Sequence, residues 1–222
     1  MGNMRQDSDT DLLLLIISSP SGAGKTTLAR DLLQQFPDLM FSVSHTTRKP
    51  RAGERDGIDY HFVERDAFLA QVEKGAFAEW AEVHGNLYGT SLEEIERCRR
   101  IGKRGILFDI DYQGARQIRA RRSDAVSVFV LPPSMAELRR RLQTRSTDDE
   151  ATIEERFFNA KREIEHYGFF DYLIVNDDLK RARESLRSVV WAERSRRRRT
   201  ASDAEILLRQ IKNDTEKKQT KR

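Results

Sequence analysis

The chain of 222 residues contains one cysteine, Cys98, so no intrachain disulfide can form and nothing in its thiol content points to export. Long apolar runs are also missing. The longest, residues 12–17, is far short of the roughly 20 residues that a membrane helix needs. The first residues carry Asp7, Asp9 and Asp11 where a secretory leader needs positive charge, and Gln6 stands where a myristoylation signal has Ser or Thr. No internal repeat is visible. A membrane partner is therefore not expected, and the cytoplasm is the expected location. A charged fraction of 34% with 38% hydrophobic residues fits a soluble enzyme. The length suits one α/β domain with inserted subdomains.

An excess of one charge sign is absent from most of the chain. Residues 194–222 hold 11 Lys/Arg against 4 Asp/Glu, while the remainder holds 29 basic and 32 acidic residues. The net charge of +4 therefore comes from the tail, and the core does not read as a nucleic-acid binder. The run Arg194-Ser195-Arg196-Arg197-Arg198-Arg199 reads as a solvated helix end with a frayed terminus, or as a contact for RNA, DNA or acidic partners. Nothing in the sequence sets an oligomeric state.

What is present is ordered. Residues 1–11 form a polar leader. Strand 12–17, a Gly-rich turn and helix 26–35 make a first βα unit, stopped by Phe36-Pro37-Asp38. Residues 41–92 change to short alternating runs broken by Gly53, Gly57, Gly85 and Gly89, which predicts a small β-rich insertion with a helix near 66–74. Helix 91–101, strand 105–109 and strand 126–131 follow. Helices 135–145 and 150–166, strand 171–175 and helix 178–199 complete the pattern. Alternating strands and helices outside the insertion predict a P-loop NTPase-type α/β fold, a parallel sheet covered by helices on both faces.

The strongest chemical signal is Pro20-Ser21-Gly22-Ala23-Gly24-Lys25-Thr26, between an apolar strand and a helix. Glycines let successive backbone N–H groups turn inward on phosphate oxygens, and the helix adds its positive end. Lys25 would reach the terminal phosphates of a nucleoside triphosphate, and the Thr26 hydroxyl would ligate Mg²⁺. One departure is Ser19, where the pattern has its first glycine.

Asp109 ends an apolar strand and would hold Mg²⁺ or a metal-bound water beside Thr26, unless it caps a following helix. Asp111 shares its side only if extended structure continues. Arg141 and Arg145 lie four apart on one helix face, and Arg156 follows a polar turn. Guanidinium groups on a mobile flap suit the oxygens of a migrating phosphoryl group and exclude water. Arg139, Arg140 and Arg162 read as surface residues. Within the insertion, Ser44, Arg48, Arg51 and Tyr60 would cradle a second phosphate. Glu79 and Asp111 as acceptors, with Thr90 as a donor, match a guanine edge, although spacing alone does not select the base.

Residues 43–54 and 57–63 closely resemble the nucleotide-binding segment of guanylate kinases. So do Glu79-Trp80-Ala81, residues 85–90, Asp109-Ile110-Asp111-Tyr112-Gln113-Gly114 and residues 170–179, so that the resemblance covers roughly 12–195. It implies a core (12–40, 93–132 and 167–195), a GMP-binding insertion (41–92) and an arginine-bearing lid (133–166), leaving 196–222 as a basic tail. ATP would be held by Ser19, Pro20, Ser21, Gly22, Ala23, Gly24, Lys25, Thr26 and Thr27, with Asn176 near adenine. Ser44, Arg48, Arg51, Tyr60 and Tyr88 would hold the GMP phosphate, and Glu79, Gly89, Thr90 and Asp111 the base. Lys25, Arg48, Arg141, Arg145 and Arg156 would carry the transfer, with Mg²⁺ at Thr26 and Asp109. Ser146 departs from the glycine common in the family after the lid arginine. The implied activity is ATP-dependent phosphorylation of GMP and dGMP. A kinase for another phosphorylated small molecule and a phosphopeptide-binding scaffold are the alternatives.

Overall fold

The computed structural model describes residues 12–83, 85–144 and 149–219. Its centre is a five-stranded sheet of β1 (Leu13–Ser18), β2 (Leu39–Phe41), β7 (Gly105–Asp109), β8 (Val126–Leu131) and β9 (Tyr172–Val175). The order is β2-β7-β1-β8-β9 and every pairing is parallel. All six residues of β1 are buried, as a strand covered on both faces requires. Its side chains divide by parity. Leu13, Leu15 and Ile17 pack with α1 (Lys25–Gln35) and α7 (Leu179–Arg194), while Leu14 and Ile16 pack with α3 (Leu92–Arg100) and α4 (Tyr112–Arg121).

A second sheet of β4 (His61–Phe62), β3 (His45–Thr46), β6 (Asn86–Ser91) and β5 (Phe77–Val83) rises from residues 45–91, in that order. Helix α2 (Arg65–Glu73) packs Phe68 against Phe77 and Leu87 of this sheet. Helices α5 (Met135–Thr144) and α6 (Glu150–Ile164) form a hairpin with its own small core of Leu138, Leu142, Ile153 and Ala160.

Three expectations need correction. Between strands 105–109 and 126–131 the chain forms α4, which the sequence reading left out. Asp111 therefore does not continue the strand: it caps α4, accepting from the Gly114 N–H at 2.9 Å. The expected helix 178–199 is two helices, α7 and then α8 (Arg197–Gln219). The arginine run is not a frayed end. Arg194 donates to Asp38 at 2.8 Å, and Arg198 and Arg199 each donate to the Asp124 carbonyl at 3.1 Å. Beneath them Glu193 is fully buried, with Arg196, Arg198 and Arg199 ranged around its carboxylate. A buried carboxylate needs such partners, and the basic run supplies them.

Candidate active site

The loop leaving β1 is shaped by two glycines, Gly22 and Gly24, at φ of +89° and +97°. L side chains rarely adopt this region, and both glycines are also crowded. A Cβ on Gly24 would lie 2.3 Å from Asn176 Nδ2, and one on Gly22 would meet Leu138 and Leu142 of α5 at 3.1 Å. Asn176 is buried and donates to the Ala23 carbonyl at 2.7 Å. Arg141 bonds the Asn176 carbonyl at 3.1 Å while Glu137 holds its Nε at 2.8 Å. Asn176 and Arg141 thus brace the loop from the side of β9 and α5. Ser19 donates to the Pro20 carbonyl at 3.0 Å, and the Ala23 N–H closes a turn on the same carbonyl.

Lys25 opens α1 and pairs with Asp109 at the end of β7. Burial lowers its pKa to about 8, against the pull of Glu163 and Asp111. Thr26 and Thr27 are exposed on the first turn of α1. Among the described residues no group of three His, Cys, Asp or Glu side chains is arranged to hold a metal. Mg²⁺ takes one or two protein oxygens and fills its shell with phosphate and water. The Thr26 hydroxyl and Asp109 carboxylate are donors of the right type.

A cavity of about 160 Å³ joins this end to the second sheet, lined by Lys25, Asp109 and Asp111 from the core and by Ser44, Tyr60, Glu79 and Tyr88 from residues 41–92. Glu79 reaches it through a β-bulge. The β5–β6 register shifts between Phe77 and Glu79, so Phe77, Ala78 and Glu79 are all buried before Trp80 turns outward. Glu79 then pairs across the strands with Thr90, which favours its ionised form. Burial raises the Glu79 pKa to about 7, helped by the Asp111 charge and opposed by Thr90. Ser44 Oγ lies 3.3 Å from Thr90 Oγ1. Gly89 packs under this strand, where a Cβ would meet Phe68, Phe77 and Trp80 at 3.0 Å.

Arg48 is held in a fork by both Glu54 oxygens, at 2.8 and 2.9 Å, and its guanidinium lies 5.3 Å from the Tyr60 ring centre. Glu54 raises the Arg48 pKa and also accepts the Arg51 N–H at 2.7 Å. Tyr60 and Tyr88 meet edge to face with centres 6.0 Å apart. On α6, Arg156 and Glu163 share a helix face two turns apart. Arg145 and Ser146 lie outside the described residues.

Two further groups belong to the site without a sequence signal of their own. Glu54 ends the segment 43–54, and its fork on Arg48 is a feature of the folded loop. Glu163 had no signal beyond its spacing from Arg156. Its carboxylate lies beside the Ser21 N–H of the glycine-rich loop, and burial with the Asp111 charge lifts its pKa to about 7 against the pull of Lys25 and of that N–H.

A parallel sheet whose first strand feeds a glycine-rich anion cradle, with a lysine at the helix start, defines a P-loop nucleotide-binding protein. The guanylate kinase family model matches residues 12–193, and the chain belongs to that family, whose enzymes phosphorylate GMP using ATP. A guanylate kinase of Geobacter metallireducens is 54% identical over 184 residues, covering 83% of this chain and 90% of that protein. One from Myxococcus xanthus is 52% identical over 188 residues, covering 84% and 90%. The crystal structure of guanylate kinase from Anaplasma phagocytophilum superposes with a TM-score of 0.69 at 34% identity, covering 86% of this chain and 90% of that one.

Proposed function

We propose that this chain transfers the γ-phosphoryl group of ATP directly to GMP or dGMP, releasing ADP and GDP or dGDP. The carrying observation is the shared cavity, which has the P-loop lysine at one wall and a buried carboxylate facing a threonine at the other. A GMP phosphate oxygen is already a competent nucleophile. It attacks the γ-phosphorus as the bond to the ADP oxygen breaks, so no covalent enzyme intermediate is needed.

Glu79 and Asp111 accept from the guanine N1–H and 2-amino group, and Thr90 donates. Arg48, set by Glu54, clamps the GMP phosphate with Ser44, Arg51, Tyr60 and Tyr88. The loop from Ser19 to Thr27 cradles the ATP phosphates, with Lys25 on the transferring group. Arg141, Arg145 and Arg156 of the lid (133–166) add positive charge and exclude water as it closes over the core and the insertion (41–92). Thr26 and Asp109 would hold Mg²⁺, which would supply neutralising charge for the phosphates. Asn176 serves the ATP side by bracing the loop. The reaction belongs to purine nucleotide metabolism in the cytoplasm. Among the described residues no helix is long and apolar enough to cross a membrane.

Incubating the protein with ATP, GMP and Mg²⁺ and separating the nucleotides tests this. GDP and ADP should appear in equal amounts, and ADP without GDP would reduce the reading to a nucleotidase.

A further inference from the structure

We infer that Gly114 is a positioning residue for guanine selectivity: its missing side chain lets the first turn of α4 lie against the Glu79 carboxylate. This rests on the proposed role of Glu79 in reading the base.

Gly114 is the third residue of α4 and has no positive φ, so backbone conformation does not call for glycine there. Inside a helix, alanine is the better residue by intrinsic propensity. Contact supplies the reason. A Cβ at Gly114 would stand 2.6 Å from Glu79 Oε2 and 3.1 Å from its Cδ.

The helix is not free to back away. Asp111 caps its start by accepting the Gly114 N–H. One turn on, Gln117 bridges the Trp80 backbone, accepting its N–H at 3.1 Å and donating to its carbonyl at 2.6 Å. A turn later, Arg121 donates to the Phe77 carbonyl. Positions 114, 117 and 121 share one helix face, so α4 is pinned along the bulged segment that carries Glu79. A Cβ there would also lie 3.2 Å from Ile110 Cδ1, a contact that a small shift relieves, whereas the 2.6 Å approach moves the Glu79 carboxylate away from its place beside Thr90. The fold tolerates this because a flexible side-chain end absorbs the clash. The site does not, because the two adjacent guanine donors need both oxygens in register.

The test is steady-state kinetics on the native protein, Gly114→Ala, Glu79→Gln and the double variant, with melting temperatures for each. Gly114→Ala should raise the GMP KM roughly tenfold or more, the scale of one buried pairing lost. The ATP KM should stay within about twofold and the melting temperature should not fall. In the Glu79→Gln background the second substitution should add less than about twofold, since it acts through Glu79. An unchanged GMP KM, equal losses toward both nucleotides, full additivity or a variant that fails to fold would each overturn the inference. Native protein that ignores GMP overturns the functional reading as well, whereas native GMP turnover with a normal Gly114→Ala overturns this inference alone.

Discussion

Glu163 of α6 faces the Ser21 backbone N–H, so a carboxylate from the α5–α6 hairpin sits beside the loop built for phosphate. Its raised pKa has a definite consequence for stability. An acid whose pKa is raised by folding, here from 4.5 to about 7, binds more protons folded than unfolded between those values. Stability is thus lost as pH climbs from about 4.5 to 7, and the full cost is present above 7. Glu163→Gln should raise stability at pH 8 by on the order of 1–2 kcal/mol after allowing for partial exposure, and change it little at pH 4. Urea denaturation at the two pH values measures this, and a gain equal at both would refute the assignment.

Lys25→Ala should abolish turnover while the protein stays folded. The side chain pairs with Asp109 at the cavity wall and belongs to no apolar cluster. Loss of one preorganised charge donor costs about 3–4 kcal/mol of transition-state stabilisation. Single-turnover rates beside a circular dichroism spectrum decide it, and near-normal rates in a folded variant would contradict the P-loop assignment.

Arg199→Ala removes a nearly buried guanidinium from the fully buried Glu193 and should cost roughly 3 kcal/mol. Ending the chain after residue 200 keeps these contacts and should leave kinase activity intact. A soluble, folded truncation without activity would place catalytic machinery in α8.

Glu79 should impose a pH limb on GMP use. With a pKa of about 7 in the free protein, its ionised form is lost as pH falls, so kcat/KM for GMP should drop up to tenfold per unit well below 7 and level off above it. Glu79→Gln should have a lower, flatter profile in this range. A limb that survives in Glu79→Gln would belong to another group, Glu163 first among them.

Legibility in the sequence followed local pattern strength. β1, the glycine-rich turn and α1 were readable because six apolar residues, two glycines and Lys-Thr are contiguous. Helix α4 was not, because Gly114 and three arginines interrupt it and its buried side is only Gly114, Ala115 and Ile118. The burial of Glu193 beneath a basic run depends on Asp124, some seventy residues away, which no local pattern reports. Glu79 was named from its motif, yet the bulge that turns it inward is a property of β5 paired with β6. Glu54 and Glu163 act through partners that only the fold brings near.

If the buried Glu79 carboxylate reads guanine as proposed, the choice of phosphoryl acceptor follows from it. Initial rates of ADP release with GMP, dGMP, IMP, AMP, CMP and UMP as acceptors test it most directly. Guanine offers N1–H and a 2-amino group as adjacent donors, whereas adenine presents a lone pair at N1 and would leave the carboxylate unpaired. GMP and dGMP should be used, IMP poorly, and AMP, CMP and UMP hardly at all, with Glu79→Gln losing most of the GMP rate. Equal turnover of AMP and GMP by the native protein would contradict the account.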